Sequence, residues 1–150
     1  MIGFLCPIRP RSINAKKVKS TEKYKELVRD CLKRYYPNSP VQNDEKLYGI
    51  VYYFYKRKTD IDADNLSKPI WDALRTVLYN DDRIIKLRYA GLYDLNNAVT
   101  KLDFTKMPKA VYMDFLNYTE DTKNEHLIYI ELGNLNDNLY IIGGETDETV

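Results

Sequence analysis

From Asp60 to Asp82 the chain reads DIDADNLSKPIWDALRTVLYNDD, and both the fold and the site turn on how this stretch is read. Leu66, Ile70, Ala73, Leu74, Val77 and Leu78 recur at helical spacing, so a helix with one buried face is expected from about Leu66 to Leu78. Asp60, Asp62 and Asp64 precede it, and Asp81 and Asp82 follow it. Carboxylates crowded in this way repel one another unless water, a cation or hydrogen bonds hold them. A helix of this length keeps its ends about 2 nm apart. For the two clusters to meet, Asp64 and Asp82 must sit on adjacent strands or strand ends, with the helix crossing over between them. Three carboxylates converging in a cleft suit Mg²⁺ or Mn²⁺, hard cations that prefer oxygen ligands.

Plainer roles compete with a metal site. Acidic residues ahead of a helix serve as N-caps and dipole partners, and Asn-Asp-Asp is common turn chemistry. A calcium loop fits Asp60, Asp62 and Asp64 but fails beyond them. Asn65 replaces the turn glycine, Pro69 interrupts the loop, and Trp71 stands where a bidentate Glu is needed.

Taken whole, the stretch resembles the RusA family of Holliday-junction resolvases. The family motif D-x-D-N-L-x-K, then D-A-L, then a D-D pair at the start of a strand, is matched in order. Asp62, Asp64, Asn65, Leu66 and Lys68 carry the first part, Asp72, Ala73 and Leu74 the second, and Asp81 and Asp82 the third. Pro10, Ser12 and Asn14 are similar to the P-x-S-x-N pattern that many members carry after the first strand. The resemblance implies that Asp62, Asp64 and Asp82 bind the metal and are catalytic, with Lys68 as the essential basic residue. It also implies a homodimer acting on branched DNA, often in phages and other mobile elements. Asp60, Asp72 and Asp81 are expected in supporting roles.

Chemistry agrees with these assignments. Phosphodiester hydrolysis needs an activated water, neutralised phosphoryl charge and a stabilised leaving oxygen, all of which a divalent ion supplies. A lysine beside the scissile phosphate adds fixed positive charge. Lys68 follows Asp64 by four residues and shares its face if a helix has already begun. Pro69 disfavours helical geometry at Lys68, so either the regular helix begins near Pro69 or its first turn is distorted. An exposed i,i+4 salt bridge is the plain alternative for Lys68.

The chain has 150 residues, 44% of them hydrophobic, enough for one compact core. One domain over 1–142 is expected, followed by an acidic, disordered tail over 143–150. No run of 18 apolar residues and no signal-peptide pattern occurs, so a cytoplasmic location is expected. Cys6 and Cys31 are too few for a disulfide framework and read as buried thiols. His126 is the only histidine and cannot by itself make a zinc site; it is expected at the edge of the strand that follows.

The net charge of +1 hides an asymmetry. Residues 1–58 hold 14 Lys or Arg against 5 Asp or Glu, and residues 59–150 hold 9 against 17. A nuclease can use basic surface for phosphates and an acidic pocket for metal. Candidate DNA contacts are Arg9, Arg11, Lys16, Lys17 and Lys19 after the first strand, and Lys56, Arg57 and Lys58 just before the acidic motif. A shared phosphate-binding face requires the two groups to converge.

Strands are expected at Ile2–Ile8, Tyr48–Tyr55, Ile84–Leu92, Leu127–Leu132 and, as a short edge, Leu139–Ile142. A helix is expected over Thr21–Tyr35, capped by Ser20 or Thr21, with Tyr24, Leu27, Val28, Cys31 and Leu32 on its buried stripe. The fold class is then α+β: a mixed sheet backed by two main helices in β-α-β-α-β-β order. The span 96–124 is longer than that plan needs, and Pro108–Tyr118 is a candidate extra helix or dimer contact. Fourteen tyrosines are many for this length; they serve as half-buried packing or as stacking platforms for unpaired bases. The function expected is a metal-dependent endonuclease that resolves Holliday junctions. The alternatives are a catalytically silent DNA-binding or regulatory module on the same fold, and an unrelated fold whose acidic loop is structural.

Overall fold

A computed structural model describes residues 1–11, 18–38, 41–43, 46–57, 59–97 and 102–135. The expected edge strand Leu139–Ile142 and the acidic tail lie outside the described residues, as do Lys16, Lys17, Lys58, Ser12 and Asn14.

Among the described residues, four strands and three helices follow one another as β1 (Ile2–Cys6), α1 (Val18–Tyr35), β2 (Leu47–Tyr55), α2 (Ala63–Leu74), β3 (Ile85–Asp94), α3 (Lys109–Glu120) and β4 (His126–Asn134), with a 3-10 turn over Asp82–Ile84 ahead of β3. The sheet order is β1-β4-β2-β3. β4 is antiparallel to both of its neighbours, whereas β2 and β3 are parallel. The mixed α+β sheet is thus as expected, and α3 adds a third helix between the last two strands.

Alternation along the strands separates two cores. Phe4, Leu47, Val51, Tyr53, Ile128 and Ile130 face α1 and α2 and pack with Val28, Leu32, Leu66, Ile70, Trp71 and Leu74. On the opposite face Leu5, Phe54, Leu127 and Tyr129 pack with Val111 and Phe115 of α3. β2, paired on both edges and covered on both faces, accounts for its near-continuous run of apolar and aromatic residues. Cys6 and Cys31 are buried free thiols.

Helix boundaries differ from expectation in instructive ways. α1 starts at Val18, so Ser20 and Thr21 lie inside its first turn rather than capping it. Leu27 is 40% exposed and leaves the stripe to Tyr24, Val28, Cys31 and Leu32. α2 begins at Ala63 and runs straight through Pro69, so neither a start at Pro69 nor a broken first turn is found. An interior proline costs about 3 kcal/mol of helix stability. Burial of Leu66, Ile70, Trp71, Ala73 and Leu74 on one face, with the Asp62 cap, offsets that cost. α2 stops at Leu74, earlier than the apolar period suggests. Leu78 is buried from the following turn, where Thr76 takes a left-handed backbone at φ 71°.

At Gly49 the sheet leaves no room for a side chain. A Cβ on Gly49 would lie 2.4 Å from Cζ2 of Trp71, a ring only 1% exposed, so α2 docks onto bare β2 backbone there. The Arg29 guanidinium of α1 donates to the Ala73 carbonyl at 2.8 Å and ties the two helices together.

Candidate active site

Asp62 is the N-cap of α2. Its carboxylate accepts from the Asn65 amide at 2.8 Å and from the Asn65 side chain at 3.1 Å, satisfying one of the free donors of the first turn. Asp64 lies in that first turn, and Asp60 is exposed in the loop before it. Lys68 is one turn further along and pairs with Asp72 at 3.1 Å, both groups being well exposed. Such a pair is worth a few tenths of a kcal/mol, so Lys68 is easily redirected to another anion.

Asp82 stands beyond the other end of α2. Its carboxylate accepts from the Tyr79 hydroxyl at 2.8 Å and lies 3.7 Å from Arg75 and 3.5 Å from Arg88. Burial, and then the hydrogen bond to Asp82, push the Tyr79 phenol well above its ordinary range, so it remains a donor. The same hydroxyl also lies 2.8 Å from the Trp71 carbonyl, so its one proton is shared between the two acceptors, and Arg88 lies over the Trp71 ring at 5.9 Å. Asp81 caps the 3-10 turn through the Arg83 amide at 2.9 Å and pairs with the Arg83 guanidinium at 2.7 Å. These bonds hold its carboxyl down at about 2.

The two carboxylate groups do not meet within one chain. Parallel neighbours require a crossover that returns the chain to the end of the sheet where it started. α2 makes this return from β2 to β3 and carries Asp62 and Asp64 at one end and Asp82 past the other. The 13 steps from Asp62 to Arg75 rise about 20 Å. Among the described residues, which include all of these carboxylates, no three His, Cys, Asp or Glu side chains stand close enough to hold one metal ion. The expectation that adjacent strand ends would bring Asp64 to Asp82 is corrected on this point.

The basic groups do converge in part. β1 and β2 both end where β4 begins, as the pairings Cys6↔Ile128 and Tyr55↔His126 require. Arg9, following β1, and Arg57, following β2, both act electrostatically on His126, the first residue of β4. Burial and these two cations lower the imidazole's pKa against the opposing pull of Glu125, and Nδ1 lies 2.6 Å from the Tyr53 hydroxyl. Lys56 Nζ donates to the Asp121 carbonyl instead. Arg11 bonds Ser20, and Lys19 is exposed at the start of α1.

The surround of Asp82 escaped the sequence reading. Tyr79 and Arg75 come from the turn after α2, where the apolar period suggested that the helix continues. Among the described residues, no helix is long and apolar enough to cross a membrane.

No curated protein sequence matches the chain. The family model for endodeoxyribonuclease RusA matches residues 9–102, which span both basic groups, both carboxylate clusters and the whole crossover between β2 and β3. The chain belongs to the RusA family of endodeoxyribonucleases, the resolvases of Holliday junctions.

Proposed function

We propose that this protein is a divalent-metal-dependent endonuclease that cuts four-way and other branched DNA as a homodimer. Asp62, Asp64 and Lys68 of one protomer would work with Asp82 of the other. The observation that carries this reading is the length of α2, which holds the two halves of the carboxylate set apart in a chain whose family cleaves DNA. A C2 pair offers each protomer's α2 start a second copy's α2 end, and it presents two sites related by the symmetry of a junction needing two cuts. Bound to such a site, Mg²⁺ or Mn²⁺ would supply Lewis-acid stabilisation and an activated water.

The chain's own groups have separable roles in this proposal. Lys68 leaves its exposed pair with Asp72 to meet the scissile phosphate, and Arg75 and Arg88 hold the Asp82 carboxylate oriented before assembly. Arg9 and Arg57 receive the DNA backbone beside the start of α2. Arg11, Lys16, Lys17, Lys19, Lys56 and Lys58 are proposed as further backbone contacts. Asp60 and Asp81 shape the local field. Hydrolysis leaves 5′-phosphate and 3′-hydroxyl ends, and a phage or other mobile element is the proposed setting, in the cytoplasm of its host.

Subunit mixing tests the arrangement. Asp64→Asn and Asp82→Asn proteins, each inactive on a synthetic four-way junction, are co-refolded and assayed with Mg²⁺. In a shared-site heterodimer one site carries both substitutions and the other carries neither, so nicking returns. If mixing restores nothing while wild-type protein cuts, the sites are not shared. If wild-type protein binds junctions but cuts none with Mg²⁺ or Mn²⁺ across pH, the protein is a silent DNA-binding module on this fold.

A further inference from the structure

The sheet face opposite α1 and α2 carries a groove of about 560 Å³ that the nuclease reading does not use. Its floor is the alternate set of strand residues, including Tyr52 of β2, Tyr89 of β3, and Tyr129 and Glu131 of β4. Its far wall is the segment from Leu102 to Met107. That wall is anchored on α3, where the Phe104 ring meets Phe115 at 5.0 Å and Tyr112 at 5.6 Å. The family match ends at residue 102, so the wall is built almost entirely by sequence beyond it.

Charge decides what such a groove can hold. Glu131 is half-buried and accepts hydrogen bonds from the hydroxyls of Tyr48 and Tyr129, which fix its two carboxylate oxygens separately. It forms no ion pair among the described residues. Among the described residues of the lining two other side chains are charged, Asp103 and Lys106; hydrogen bonds from Thr105 lower the Asp103 carboxyl, and Lys106 adds a smaller pull in the same direction. Among the described residues, then, a carboxylate without an ion pair lies among tyrosine faces, whose quadrupoles are themselves negative. A phosphodiester backbone is repelled from this place, and a cation is drawn to it.

We propose that the groove binds an arginine side chain presented by another polypeptide. A guanidinium is planar and stacks on tyrosine, and its fork of donors matches the free lone pairs of a carboxylate whose oxygens are already oriented. A lysine ammonium can use the charge but neither the stacking nor the paired hydrogen bonds. The proposal is independent of DNA cleavage, since the groove shares no residue with the carboxylate clusters.

Full-length protein with ¹³C-labelled tyrosine rings is titrated with capped Gly-Arg-Gly, capped Gly-Lys-Gly and deoxyguanosine monophosphate. Saturable shifts of the Tyr52, Tyr89 and Tyr129 rings are expected with the arginine peptide, with affinity at least threefold lower for the lysine peptide. Glu131→Gln is expected to weaken the arginine peptide about tenfold. If that variant does not fold, Tyr52→Leu, which removes a stacking face from the half-buried floor, is expected to weaken it by a similar factor. Unchanged affinity in whichever variant folds, or no saturable shift with the arginine peptide, overturns the proposal. Shifts produced by the nucleotide and not by the peptide also overturn it, and make the groove a nucleobase site.

Discussion

Replacing Gly49 by alanine tests how α2 is seated. The new Cβ would meet Cζ2 of Trp71 at 2.4 Å and Cη2 at 2.7 Å, where ordinary contact begins at 3.4 Å. The ring must therefore retreat by about 1 Å, the difference between 3.4 and 2.4 Å. It is 1% exposed, meets Tyr79 edge-on at 6.2 Å and underlies Arg88, so retreat displaces neighbours on every side. Overpacking of this kind costs about 1–3 kcal/mol, and the rigid indole points to the upper part of that range. In a domain of this size each kcal/mol lowers Tm by about 2–4 °C, so a fall of roughly 6–12 °C is expected. Thermal unfolding followed by near-ultraviolet circular dichroism reads the transition through Trp71 itself, the only tryptophan. Trp71→Phe removes the crowding atoms, and Gly49→Ala on that background should cost at least 1 kcal/mol less than it does alone. A Tm within 1 °C of wild type for Gly49→Ala, or strict additivity in the double variant, refutes the argument that the tryptophan requires glycine there.

Other outcomes follow from the ends of α2 and from His126. Asp62→Ala should lower stability by about 1 kcal/mol through loss of the N-cap, while Asp62→Asn should retain most of it; equal losses in chemical denaturation would show that the cap contributes nothing. Thr76→Gly should raise stability by about 1 kcal/mol because glycine takes φ 71° without strain, and a lower denaturation midpoint would contradict this. By NMR the His126 imidazole should titrate below 6.5, and Arg9→Ala or Arg57→Ala should move it upward. Because its folded pKa lies below the unfolded value, this group's contribution to stability is retained at high pH and lost as pH falls through 6.5. Junction DNA with its phosphates at Arg9 and Arg57 should raise that pKa, and an unmoved imidazole in a saturated complex would place the backbone elsewhere.

Most of the architecture was legible where one physical rule dominated. β2 announced itself because a strand buried on both faces has to be apolar and aromatic throughout, and α1 and α2 because their buried stripes repeat at helical period. Boundaries were legible only where local chemistry was not outvoted. Pro69 argued for a late start to α2, but tertiary burial of Trp71 and Leu74 carried the helix through it. Leu78 kept the apolar period while the backbone had already turned at Thr76. The carboxylates stood out as residues, yet their separation is a property of the crossover, which depends on β3 lying parallel to β2. No local pattern in Ile85–Asp94 fixes that direction. Strand pairing likewise determines that the tyrosines at positions 52, 89 and 129 share one face.

The fixed length of α2 has a consequence for when the enzyme can act. If the carboxylates of one chain are completed only by those of another, catalytic competence becomes a function of concentration. A newly made, solitary chain could touch DNA without harming it, and cutting would begin only as copies accumulate and pair. A junction that recruits two chains at once would then raise their local concentration and help to assemble the activity where it is needed.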